Sequence, residues 1–136
     1  MKMNAFELSA RAMSAQLIRL NTVASNLANS NVMAASKDEA YKPLRAVFKS
    51  AFDDQFKESG RSTVDVDSIV RESRDPARVY MPSHPLANDQ GFVFRSPVDT
   101  SEEMVEMMEA RRQYQNNVEV LTTMRKLMSQ TLNIGR

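Results

Sequence analysis

All five prolines, Pro43, Pro76, Pro82, Pro85 and Pro97, fall between residues 43 and 97, together with two of the three glycines, Gly60 and Gly91. Both ends of the chain therefore lack the residues that interrupt helices, while the middle is cut into short lengths. This distribution permits two long terminal helices around a segmented centre. The 136 residues suffice for one ordinary domain and not for two.

The spacing of apolar residues agrees with the breakers. Near the N-terminus Phe6, Ala10, Met13, Leu17, Leu20, Ala24 and Leu27 follow steps of four and three without a miss, which predicts a helical seam. The alanines in it reduce burial and let another backbone approach closely. Asparagine tolerates left-handed backbone, so the run through Asn26, Asn29 and Asn31 places the helix end near Asn29 to Asn31. At the other end Thr100-Ser101-Glu102-Glu103 has the spacing of a capping box and predicts a helix start. From there Met104, Met107, Tyr114, Val118, Leu121, Met128 and Leu132 form one stripe, with Ala110, Val120, Met124, Leu127 and Thr131 on its flank. The clustering of Glu102, Glu103, Glu106 and Glu109 early and of Arg125 and Lys126 late suits the helix dipole, and Gly135 is the predicted stop. Helices of about 40 and 50 Å follow. The apolar face of the second is wider than one partner helix covers, which argues for association with other chains.

In the middle, Leu44-Arg45-Ala46-Val47-Phe48 is a short, mostly apolar run, and Thr63 to Asp67 alternates as a half-buried strand does. Val79-Tyr80-Met81 and Phe92-Val93-Phe94 flank a proline-containing loop, predicting an irregular hairpin with Gly91 at a positive backbone angle. Residues 30–43 and 50–61 read as linkers. The expected division is an N-terminal helix over 1–34, an irregular linker and small β-rich segment over 35–98, and a C-terminal helix over 99–136.

Little in the sequence points to catalysis. The formal charge of +1 gives no field that would draw in nucleic acid or an anionic bilayer, and the absence of cysteine excludes disulfides and thiolate chemistry. No segment approaches the roughly 20 apolar residues of a membrane span, and Glu7, Arg11 and Arg19 break up any signal-peptide core. The only histidine, His84, lies in Pro82-Ser83-His84-Pro85 without obvious ligand or acid–base partners, and reads as structural. Asp65, Asp67, Glu72 and Asp75 lack calcium-loop spacing; a hydrolase built on them would require them to converge. Phosphate-binding glycine loops, nucleophile elbows and zinc-helix motifs are missing.

Two stretches are familiar together. Ala24-Ser25-Asn26-Leu27-Ala28-Asn29 resembles the helix-end motif of flagellar rod and hook proteins, and Glu103 to Val118, with Thr131 to Arg136, is similar to the C-terminal helix motif of the same axial proteins. Tyr41 to Phe48 and Val79 to Ala87 followed by Gly91-Phe92-Val93 look like proximal-rod members of that family. Asn116 departs from a common alanine. The resemblance implies a mostly α fold with a small β segment (α+β), its terminal helices paired as an antiparallel coiled coil around a short β-hairpin-rich middle. It implies a structural subunit of the periplasm-spanning proximal rod, exported through the flagellar type III apparatus without a cleaved signal, with no cofactor and no catalysis. The implied neighbours are further copies, the proximal-rod proteins FlgB and FlgF, the rod-base protein FliE and the distal-rod protein FlgG. The expected assembly surface comprises Phe6, Met13, Leu17, Leu20, Asn26, Leu27, Asn29, Met104, Met107, Tyr114, Val118, Leu121, Met128 and Leu132. A soluble helical adaptor using the same faces without polymerising is the alternative.

Overall fold

The computed structural model describes residues 5–51 and 63–134. Helix α1 spans Ala5–Ala28 and helix α2 spans Thr100–Ile134. Between them lie β1 (Met33–Ala34), β2 (Leu44–Ala51), β3 (Thr63–Arg71), β4 (Ala77–Tyr80) and β5 (Phe92–Arg95). The strands make two separate sheets, a β2–β3 ribbon and a three-stranded sheet in the order β1-β5-β4, with every pairing antiparallel.

α1 ends where the asparagines predict. The Asn29 amide donates back to the carbonyls of Ser25 and Asn26, and its side-chain Nδ2 donates to the Ser25 carbonyl at 2.8 Å, so last-turn acceptors are satisfied locally. The start of α2 differs from expectation. Asp99, one residue upstream of the predicted box, accepts from the amides of Ser101 and Glu102 at 2.8 and 3.3 Å and is the cap. Glu103 is thereby released from capping and turns inward. The predicted stop at Gly135 and most of the 50–61 linker lie outside the described residues; Ser50 and Ala51 belong to β2.

The strands follow their composition. β2 and β3 pair from Leu44 opposite Arg71 to Ala51 opposite Thr63, with a bulge between Val47 and Phe48. β4 and β5 form the expected hairpin, and Gly91 sits at φ +77° as its final turn residue. The 30–43 stretch is not wholly a linker, because Met33 and Ala34 pair with Arg95 and Phe94 and add β1 to the sheet.

The expected fold class requires correction. Among the described residues two helices flank a β-sheet middle of five strands in two sheets, in place of the expected mostly helical coiled coil. The α1 seam is not a buried core: Leu17 is 45% exposed, and Ala10 and Ala24 are exposed too. The buried residues of α1 are Ser9, Ala15, Thr22, Val23 and Asn26, on a face turned from the seam by roughly 140° at 100° per residue. On α2 the buried residues are Glu103 and Ala110, and from Arg125 through Asn133 every residue is exposed. Small and polar residues, rather than interlocked leucines, therefore occupy the contact. The reason lies in the cost of stranding buried polar groups, which fixes the rotation of α1 so that Asn26 and Arg19 meet partners on α2.

Candidate functional site

The best-built feature is a polar clasp where the end of α1, the start of β2, the segment after β3 and the start of α2 converge. Asn26 is 0% exposed and satisfies its whole amide. Its Nδ2 donates to the Leu44 carbonyl at 2.9 Å and to Glu103 Oε2 at 3.0 Å, while its Oδ1 accepts from the Leu44 amide at 2.8 Å and from the Tyr41 hydroxyl at 3.0 Å. By taking both backbone groups of Leu44, the side chain stands in for a neighbouring strand at the start of β2.

Glu103, 1% exposed, turns its other oxygen to Arg45 Nη1 at 2.6 Å. The Arg45 guanidinium also reaches Glu72 and Glu102, each at 3.2 Å. Arg74 closes the ring with bonds to Glu72 at 2.9 Å and to both oxygens of Glu102 at 2.8 and 3.0 Å. A bidentate fork of this kind is the strong geometry for a carboxylate. Hydrogen bonding from Arg74 accordingly holds the Glu102 carboxyl below its ordinary range, and the two carboxylates raise the Arg74 guanidinium. Farther along, Arg19 forms a two-pronged ion pair with Glu106, and at the opposite end of α1 Arg11 bridges Glu7 and Asp65 at 3.0 and 3.3 Å.

The carboxylates considered for hydrolysis do not converge. Asp65 pairs with Arg11, Asp67 with Lys49, Glu72 with Arg45 and Arg74, and Asp75 with Lys37. His84 accepts from the Leu86 amide through Nδ1 at 3.1 Å and shapes the β4–β5 loop. A cavity of about 270 Å³ between α1, β2 and α2 is lined by Thr22, Val23, Leu44, Arg45, Ala46 and Phe48 with the Arg19–Glu106 pair; the Thr22 hydroxyl is engaged with the Ile18 carbonyl at 2.8 Å and Glu106 with Arg19.

The residues expected at an assembly surface divide into three groups. Asn26 is buried in the clasp and Asn29 caps α1. Phe6, Met13, Leu20, Leu27, Met107, Tyr114 and Leu121 are half-buried. Leu17, Met104, Val118, Met128 and Leu132 are exposed, with Leu132 at 74%. Sequence reasoning gave no role to Tyr41, Arg45 or Arg74 and read Glu103 as a cap. The seven-residue step from Glu103 to Ala110 is the one signal that could have set Glu103 on the inward face of α2.

The geometry is thus that of a framework with open apolar faces, and the similarities agree with it. Residues 6–33 match the family described as "Flagella basal body rod protein", and residues 89–134 match "Flagellar basal body rod FlgEFG protein C-terminal". The chain is 36% identical over 134 residues to the flagellar basal-body rod protein FlgC of Salmonella typhimurium, 37% over 136 residues to that of Yersinia enterocolitica, and 38% over 135 residues to that of Escherichia coli O157:H7. Each comparison covers 98% of both chains. Identity at this level over nearly the whole length, together with two rod-family matches on the two terminal helices, means that the chain belongs to the flagellar basal-body rod protein family, alongside its FlgC members.

Proposed function

We propose that this chain is a structural, non-enzymatic subunit of the flagellar basal-body rod, built into it through its terminal helices. The observation that carries the reading is apolar surface displayed along both rod-family segments: Leu17 on α1 and Met104, Val105, Met108, Leu127, Met128 and Leu132 on α2 are all exposed. Apolar side chains left open on both terminal helices of a small chain are covered by neighbours. The half-buried residues of the assembly set, from Phe6 to Leu121, complete their burial in the same step. Asn26 and Asn29 act indirectly, by fixing the end of α1.

The rod position is the proximal one, in the periplasm, reached through the flagellar type III apparatus. The neighbours are FlgB, FlgF, FliE and, at the far side, FlgG. Likeness to FlgC proteins supports this placement. Among the described residues no helix is long and apolar enough to cross a membrane.

Leu17→Asp and Leu132→Asp, each expressed in cells lacking the native gene, test the reading. Both side chains are exposed, so the purified variants keep their stability within about 0.5 kcal/mol. Rod assembly and swimming are lost, because burying a lone carboxylate costs several kcal/mol, more than one apolar contact returns. Normal swimming by both variants would show that these faces are not the assembly surface. Absence of the wild-type chain from purified basal bodies would overturn the rod reading itself.

A further inference from the structure

The loop between β4 and β5 is organised around one residue. The Met81 carbonyl accepts from the His84 amide at 3.0 Å and the His84 carbonyl accepts from the Ala87 amide at 2.9 Å. Met81-Pro82-Ser83-His84 and His84-Pro85-Leu86-Ala87 are therefore two successive turns that share His84, each with proline at its second position, where the fixed φ suits a turn. The second turn has a further tie, because the Leu86 amide donates to His84 Nδ1 at 3.1 Å. The turn after it repeats the device, with the Gln90 amide donating to Asn88 Oδ1 at 3.1 Å. Both are bonds from a side chain to the amide two residues on, the pattern that fixes Asx-type turns. One acceptor is an amide oxygen, which keeps its lone pairs at every ordinary pH. The other is an imidazole nitrogen, which does not.

We infer that His84 makes the β4–β5 loop responsive to protons: the neutral ring locks the second turn, and the charged ring releases the Leu86 amide and lets the tip of the loop change shape. The inference goes beyond the rod reading and does not rest on it. Accepting through Nδ1 requires the neutral ring to carry its proton on Nε2. A proton taken from solvent then goes onto the Nδ1 lone pair, the site that holds the Leu86 amide, and two N–H donors face each other where one bond stood. The ring must rotate or the turn must open. The apolar tip moves with it, because Met81 opens the first turn, Leu86 lies inside the second, and both side chains are exposed.

The surroundings of His84 do not offset that loss. Among the described elements the β4–β5 hairpin packs on β1 alone. The other titratable or charged groups of this unit are Arg78 and Tyr80 on β4, Asp89 in the loop and Arg95 on β5, while β1 has none. Arg78 is held over the Phe92 ring and by Gln90. Among the described residues none of these groups is hydrogen-bonded or ion-paired with His84, so the charged ring gains no partner in exchange for the one it gives up. As the only histidine of a chain without cysteine, His84 is also the one side chain whose type changes charge between about pH 5 and 8.

Nuclear magnetic resonance of the isotopically labelled full chain, titrated between about pH 5 and 8, tests this. The ring nitrogens of His84 are expected to report the Nε2–H form when neutral. The Leu86 amide signal is expected to move with the same midpoint as the ring, its protection from exchange falling on the order of fivefold as one ordinary hydrogen bond is lost. The methyl signals of Met81 and Leu86 move with it. In His84→Asn the side-chain oxygen takes the place of Nδ1 and does not titrate, as at Asn88, so the Leu86 amide keeps its high-pH position throughout. In His84→Gln the acceptor is displaced, and the Leu86 amide should resemble that of the acidified wild type at every pH. A neutral Nδ1–H ring, or a Leu86 amide indifferent to titration of the ring, would overturn the inference. So would an unchanged inflection in His84→Asn, which would assign the transition to another group. Stationary Met81 and Leu86 methyls beside a titrating amide would overturn the change of shape. The wild-type titration decides alone should a variant fail to fold.

Discussion

At the scale of single residues, Asn26 carries the most structure for its size. Asn26→Ala removes four hydrogen bonds and strands the Leu44 carbonyl and one oxygen of Glu103, a loss of about 1–3 kcal/mol measurable by chemical denaturation. Asn26→Asp is expected to be worse near neutral pH, since it sets a carboxylate against Glu103, and to recover relative to Asn26→Ala as the pH falls. Gly91 is the other constrained position. At φ +77° an added Cβ would stand 2.9 Å from the Tyr80 ring and 3.2 Å from Pro82 Cβ, so Gly91→Ala costs on the order of 1–3 kcal/mol and lowers the melting temperature. The two differ in legibility. The need for glycine at residue 91 is local and could be read from the turn sequence. The need for Asn26 depends on Leu44 and Glu103, the latter 77 residues away, and a helix-end asparagine looks the same whether or not such partners exist.

At the scale of elements, the helices and most strands were readable because their signals are periodic or local. The C-terminal end of α1 and the β4–β5 hairpin are set by side chains within a few residues of where they act. The cap of α2 was misplaced by one residue because Asp99 and Thr100 are both competent caps and only tertiary contacts divert Glu103 inward. The seam of α1 is periodic as read but is not the face buried within the chain, since a period identifies a face and leaves its partner open. The junction between β3 and α2 yields a pH prediction. Arg74 lowers the Glu102 carboxyl below its ordinary 4.5, so this group contributes stability above that value and loses it as pH falls through the lowered one. Arg74→Met should flatten the acid limb of stability against pH: the gap between variant and wild type, read from denaturation midpoints, narrows toward low pH. A constant gap would show that Arg74 acts through packing alone.

For the whole molecule, the expectation is a subunit whose order depends on its neighbours. In the isolated chain the amides of residues 125–133, all with exposed side chains, should exchange with solvent far faster than those of residues 103–117; in assembled rods the two regions should be similarly protected. Equal protection in the monomer would mean that the end of α2 is stable unaided. The fastening of α1 to the ribbon is uneven as well. At one end Asn26, wholly excluded from water, grips Leu44 on β2; at the other, Arg11 reaches Asp65 on β3 with both side chains more than 40% exposed. Under twisting load such a joint has a fixed root and a yielding tip: shear would open it at the Arg11 side first, and ionic strength would soften that side while leaving the Asn26 side stiff.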